Sequence, residues 1–116
     1  MLGYHDYEGV ALNFEERERL VANLGSGNLL ILRNHGLLAC GRTCGEAFIY
    51  LYRLEMACKI QVAALAGGLD NGLAMSGAAL ENTRNIAIAN PGLVGGDLQW
   101  KALVRRMDRI DPSYKE

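Results

Sequence analysis

This 116-residue sequence has no run long and apolar enough to cross a bilayer. Its longest apolar-rich stretch, Ala47 to Leu65, is broken by Arg53, Glu55, Lys59 and Gln61, whereas a spanning helix needs about 20 mostly apolar residues. Neither sign of charge is in excess. Twelve basic and 13 acidic side chains leave a net charge of −1, so bulk electrostatics draw in neither nucleic acid nor an anionic membrane surface. A small anionic substrate stays compatible with local charge. Met1-Leu-Gly-Tyr-His-Asp6 lacks the basic and apolar regions of a secretory signal. The three cysteines, Cys40, Cys44 and Cys58, are odd in number and lack CxxC spacing, which argues against a disulfide framework and for a reducing, cytoplasmic setting. No internal repeat or low-complexity tract occurs. Phosphate-loop patterns are missing too: Gly41-Arg-Thr-Cys-Gly45 has no lysine, and Gly36 to Gly41 contains no GxGxxG.

What is present reads as one globular domain, half apolar and 22% charged. Tyr4 to Ala11 is a short strand or an extended lead-in. Asn13 is placed to cap a helix, with Glu16 three residues on to complete a capping box. Leu20, Val21 and Leu24 give that helix its apolar stripe, and Gly25-Ser26-Gly27 stops it. Asn28 to Arg33 is a buried strand, Asn34-His35-Gly36 a turn and Leu37 to Cys40 the returning strand. Thr43-Cys-Gly-Glu46 is a second capping box, opening a long helix over about 44–66. Its predicted buried face is Ala47, Phe48, Leu51, Leu54, Cys58, Val62 and Leu65. A third helix spans about Gly77 to Ala89. After a flexible link at Val94-Gly-Gly96, Asp97 caps a last helix, Leu98 to Ile110, whose apolar members are Trp100, Leu103, Val104, Met107 and Ile110. One hairpin is too little sheet for four helices to cover, so the chain reads as a sheet domain with strands missing.

Few side chains here carry chemistry by pattern. His35, at the hairpin tip, is the candidate metal ligand, since neutral imidazole suits zinc and similar divalent ions. His5 with Asp6 and Glu8 forms a second polar cluster, although strand alternation places His5 and Asp6 on opposite faces. Cys40 and Cys58 read as small buried hydrophobes. Cys44 begins a helix, where a thiol is more easily ionised, but no histidine is near it by local spacing. Arg17, Arg19, Arg105, Arg106 and Arg109 read as solvated helix faces rather than a nucleic-acid surface.

Several segments together resemble the class II aldolase/adducin family. They are Tyr4-His-Asp-Tyr-Glu-Gly9, Leu32-Arg-Asn-His-Gly-Leu-Leu38, Gly41-Arg-Thr43 with Glu46-Ala-Phe48, Leu54-Glu-Met-Ala-Cys58 with Gln61, and Met107-Asp-Arg-Ile-Asp-Pro-Ser-Tyr114. The resemblance implies a three-layer α/β/α domain around a mostly antiparallel sheet, often in a homo-oligomer. It implies sugar-phosphate aldolase or epimerase activity that depends on a divalent metal, usually Zn2+, held by three histidines. Two of these come from a His-x-His motif in the N-terminal half, which also supplies a glutamate acid/base. The third maps onto His35. Tyr114 is a candidate for the tyrosine that a neighbouring subunit contributes in some members. This sequence contains no His-x-His. The expectation is therefore that residues 1–116 are the C-terminal portion of a single such domain, with N-terminal strands missing and the metal site incomplete. The alternative implied by the same resemblance is an adducin-like protein-interaction module without metal chemistry.

Overall fold

The computed structural model describes residues 2–9 and 14–115. Chain order is β1 (Leu2–His5), α1 (Glu16–Leu24), β2 (Leu29–Leu32), β3 (Gly36–Ala39), α2 (Cys44–Leu65), α3 (Gly77–Ala89), α4 (Pro91–Val94) and α5 (Asp97–Ile110). Single 3-10 turns at Leu69–Asn71 and Pro112–Lys115 complete it. Among the described residues, no helix is long and apolar enough to cross a membrane.

The sheet has three strands in the order β1-β2-β3. β2 and β3 form the expected hairpin, with Leu30 opposite Leu38 and Leu32 opposite Gly36. β1 adds a parallel partner on the other side, with Gly3 beside Leu30 and His5 beside Leu32. The chain from β1 through α1 to β2 is thus a β-α-β crossover, the connection a parallel pair requires. Gly3 makes its close packing feasible. A Cβ at Gly3 would lie 2.4 Å from the Asn23 carbonyl oxygen on α1 and 2.7 Å from Leu30 Cδ2.

Local signals set α2 as expected at its start. The Thr43 hydroxyl accepts from the Glu46 N–H at 3.1 Å. The reciprocal half of the capping box is displaced by one residue: the buried Glu46 carboxylate accepts from the Arg42 N–H at 2.6 Å and meets the Arg42 guanidinium at 3.4 Å. The backbone donor of Arg42, followed by its guanidinium, holds the Glu46 carboxyl below the ordinary carboxylate range.

The face that α2 buries differs from the expected one. Gly45, Glu46, Ile49 and Leu54 are buried, whereas Phe48, Leu51 and Val62 are exposed. Length explains the exposure of Val62, whereas Phe48 lies in the first half of the helix and turns to Trp100 of α5. A strand of four residues covers about 13 Å. A helix of 22 residues runs about 33 Å, so its second half overshoots the sheet. Two other capping assignments also change. Asn13 lies outside the described residues, and α1 has Glu15 at its N-cap position with no side-chain cap. α5 begins at Asp97, and its N-cap is Gly96 in the left-handed region, φ 76°. That glycine is a packed junction rather than a link, because a Cβ there would come within 2.5 Å of Ile49 Cγ2. One turn further, Trp100 closes on Gly45, where a Cβ would lie 2.9 Å from the indole stem. α2 and α5 therefore meet through two glycines. α3, capped by the Ser76 hydroxyl, packs chiefly on the short α4.

Little of this chain is interior. Among the described residues the buried apolar side chains are Leu30, Ile49 and Leu54. Accessible surface is 9328 Å², against about 6,200 Å² for a self-contained protein of this mass. The radius of gyration, 17.1 Å, likewise exceeds the roughly 13 Å of a compact domain this long.

Two stability outcomes follow from these placements. Leu30→Ala should cost about 2–5 kcal/mol in a urea titration, whereas Val62→Ala, though expected on the buried face of α2, should change stability by under about 0.5 kcal/mol. Glu46 has a folded pKa below its unfolded one. Its contribution is therefore present above the ordinary carboxylate range and lost as pH falls through the depressed folded value. Glu46→Gln should flatten the acid limb of stability measured against pH.

Candidate functional site

His35 occupies the tightest turn of the sheet. Its N–H donates to the Leu32 carbonyl at 3.0 Å. Asn34, at the third position of that turn, has φ 55°, a conformation asparagine tolerates better than most residues. The His35 ring is exposed at the mouth of a cleft of about 100 Å³. His5, Tyr7, Glu8, Glu16 and Arg33 line the same cleft.

The segment leaving β1 forms the other wall and is tied to the turn. The Arg33 N–H donates to the His5 carbonyl at 2.9 Å. The Arg33 guanidinium meets Asp6 at 3.3 Å and lies 5.5 Å from the centroid of the Tyr4 ring. Tyr7 stacks on His35, with ring centroids 6.1 Å apart and planes inclined by 22°.

Behind this wall, His5 is only 5% exposed. Its Nδ1 lies 2.8 Å from Asn23 Oδ1, and its Nε2 lies 3.4 Å from Glu16 Oε1 and 3.7 Å from Glu8 Oε1. Both ring nitrogens face side-chain oxygens inside the protein, which commits His5 to the β1–α1 junction. Arg19 donates through Nε to Glu8 Oε1 at 2.7 Å and through its terminal nitrogen to Oε2. That paired hydrogen bond holds the Glu8 carboxyl below its usual range and raises the Arg19 pKa.

The strand-alternation argument held for His5 and Asp6: the first is buried and the second exposed. The grouping of His5 with Glu8 held as well, at 3.7 Å, but the arrival of Glu16 at the same ring was missed. Glu16 was assigned to a helix cap, and it buttresses the imidazole instead. Only the register of α1 against β1 reveals that, and no local pattern encodes it.

The donors present do not make a metal centre by themselves. Among the described residues, no group of three His, Cys, Asp or Glu side chains is arranged to hold an ion. A catalytic zinc takes about three protein ligands and one open position. His35 is one imidazole, and the second imidazole of the chain is committed elsewhere.

The remaining candidates lie away from this cleft. Cys40 and Cys44 are exposed and Cys58 is intermediate, so the reading of Cys40 as a buried hydrophobe is corrected. β3 ends at Ala39, which carries Cys40 out of the sheet. The Tyr114 hydroxyl donates to Asp108, which also pairs with Lys115 at 2.7 Å. Lys115 and Tyr114 together hold the Asp108 carboxyl below its usual range. Tyr114 borders a wholly apolar groove of about 350 Å³ formed with Phe48, Trp100, Leu103, Val104 and Met107. Phe48 and Trp100 meet there with centroids 5.6 Å apart.

Comparison with known proteins places this geometry in context. A family model described as the Class II Aldolase and Adducin N-terminal domain matches residues 2–62. A provisionally named aldolase class 2 protein of Caulobacter vibrioides is 48% identical over 115 residues, covering 99% of this chain and 44% of that protein. Gamma-adducin of Mus musculus is 37% identical over 122 residues, covering 94% of this chain and 17% of that protein. The crystal structure of an aldolase II superfamily protein from Pseudomonas syringae matches with a TM-score of 0.88 and 39% identity, over 99% of this chain and 46% of that one. The chain thus spans a little under half the length of these bacterial relatives, and about a sixth of the adducin.

Proposed function

The chain belongs to the class II aldolase and adducin family, and from that membership we propose that it carries one side of a divalent-metal site whose ligand here is His35. The observation that supports this reading is the pairing of a tightly fixed turn with an imidazole whose ring nitrogens make no hydrogen bond among the described residues. Such a nitrogen is available to an ion or to a substrate oxygen. The other donors of a complete centre would come from sequence outside residues 1–116, in the same polypeptide or another. On this reading the chain is the C-terminal portion of a single domain and performs no aldolase or epimerase chemistry alone. Zinc is the ion its donor type suits, and sugar phosphates are the substrate class of the completed site. Two further elements of the proposal are a homo-oligomeric state, which the surface excess supports, and a cytoplasmic setting, which the free cysteines suit.

A second reading has its own support. Gamma-adducin matches nearly the whole chain, and the aromatic groove between α2 and α5 has the composition of a protein contact. An interaction module would keep the fold and need no metal.

Zinc stoichiometry separates the two. Purified alone, the chain should retain well under one tightly bound zinc per molecule after dialysis. Mixed with the unmatched remainder of the Caulobacter relative, it should take up one zinc per pair, and His35→Ala should abolish that uptake. Tight stoichiometric zinc on the lone chain would overturn the incomplete-site proposal. A mixture that associates without zinc would favour the interaction module. Light scattering across a concentration series should show self-association, and a monomer at every concentration would count against the oligomeric element of the proposal.

A further inference from the structure

We infer that Tyr7 is a positioning residue for His35, fixing the imidazole by stacking against one of its ring faces. The inference builds on the reading of His35 as a ligand, but its geometry stands separately. The two rings lie 6.1 Å apart, close to parallel at 22°, within the range of attractive offset stacking. Core packing does not account for Tyr7 at this place, since it is 53% exposed.

The residues on either side of Tyr7 are anchored in opposite directions. Asp6 is paired with Arg33 on the His35 turn at 3.3 Å. Glu8 is held by Arg19 of α1 through both carboxylate oxygens. Just before them, the His5 carbonyl accepts from Arg33, while the His5 ring is fastened to Asn23 and Glu16. Tyr7 therefore sits between two ties, an exposed ion pair to the turn it serves and a paired hydrogen bond to α1. A single exposed histidine on a turn samples several rotamers, and ordering it costs side-chain entropy. An aromatic plate of fixed position removes that cost before a ligand arrives, as supporting residues do around metal-binding imidazoles.

The test compares Tyr7→Phe, which retains a ring, with Tyr7→Leu, which retains apolar bulk without one. In proton–nitrogen NMR spectra of the full chain, the His35 ring protons should be shifted by the aromatic ring current in the native protein. They should stay near that position in Tyr7→Phe and move towards free-histidine positions in Tyr7→Leu, with the backbone spectrum otherwise preserved. In the zinc-binding mixture, Tyr7→Leu should weaken zinc by about 10-fold and Tyr7→Phe should not. Unmoved His35 signals in Tyr7→Leu, or equal zinc affinity in both variants, would sink the inference. Global unfolding of Tyr7→Leu would do so as well, because it would make the residue a structural one. Failure of the mixture to bind zinc at all would overturn the ligand reading of His35, and the spectral comparison would still decide the role of Tyr7.

Discussion

One buried imidazole joins three elements of this fold. His5 ends β1, pairs beside Leu32 of β2, accepts from Arg33 through its carbonyl, and fastens α1 through Asn23 and Glu16. Without that junction the parallel strand would have only four residues of ladder to hold it. A buried polar ring costs stability unless its nitrogens are satisfied, and here each nitrogen faces a side-chain oxygen. The arrangement fixes the angle of α1, and through Glu8 and Arg33 it fixes the cleft in which His35 stands. The cleft is thus set by backbone and polar contacts more than by apolar packing.

The apolar side of the ledger is thin by comparison. A three-stranded sheet of four-residue strands gives α2 a platform less than half its own length. Ile49 and Leu54 are buried, and further along only Cys58 and Leu65 are partly covered. Hydrophobic stabilisation scales with area removed from water, so a chain with this much accessible surface has a small margin over conformational entropy. The same architecture inside a relative of twice the length would place more protein around that surface.

Local structure was legible in the sequence wherever the cause is local. The Asn34 turn, the Thr43 cap, the hairpin and the limits of α3 are set by residues within a few positions of one another, and each was read correctly. The family followed from the order of several such segments. What escaped depends on partners distant in sequence. β1 carries too short and mixed a pattern to announce a parallel pairing. Phe48 and Ile49 are neighbours, and helical periodicity alone does not say which of them is buried. Gly96 read as a link because the Ile49 methyl that demands a glycine there lies 47 positions away in the chain, a separation no local motif registers. In the site, His35 was legible as a turn histidine. Its stacking on Tyr7, and the commitment of His5 to Glu16, were not.

α3 leans chiefly on α4, itself only four residues long, and little else grips its 13 residues. An isolated helix of that length is marginal in water, so its own backbone ladder and the Ser76 cap supply most of what holds it. α2 and α5, by contrast, are seated directly on each other at Gly45 and Gly96. The chain is consequently built as a firm body with a sparsely packed arm: a protease could nick α3 while the sheet, the His35 cleft and the aromatic groove stayed assembled.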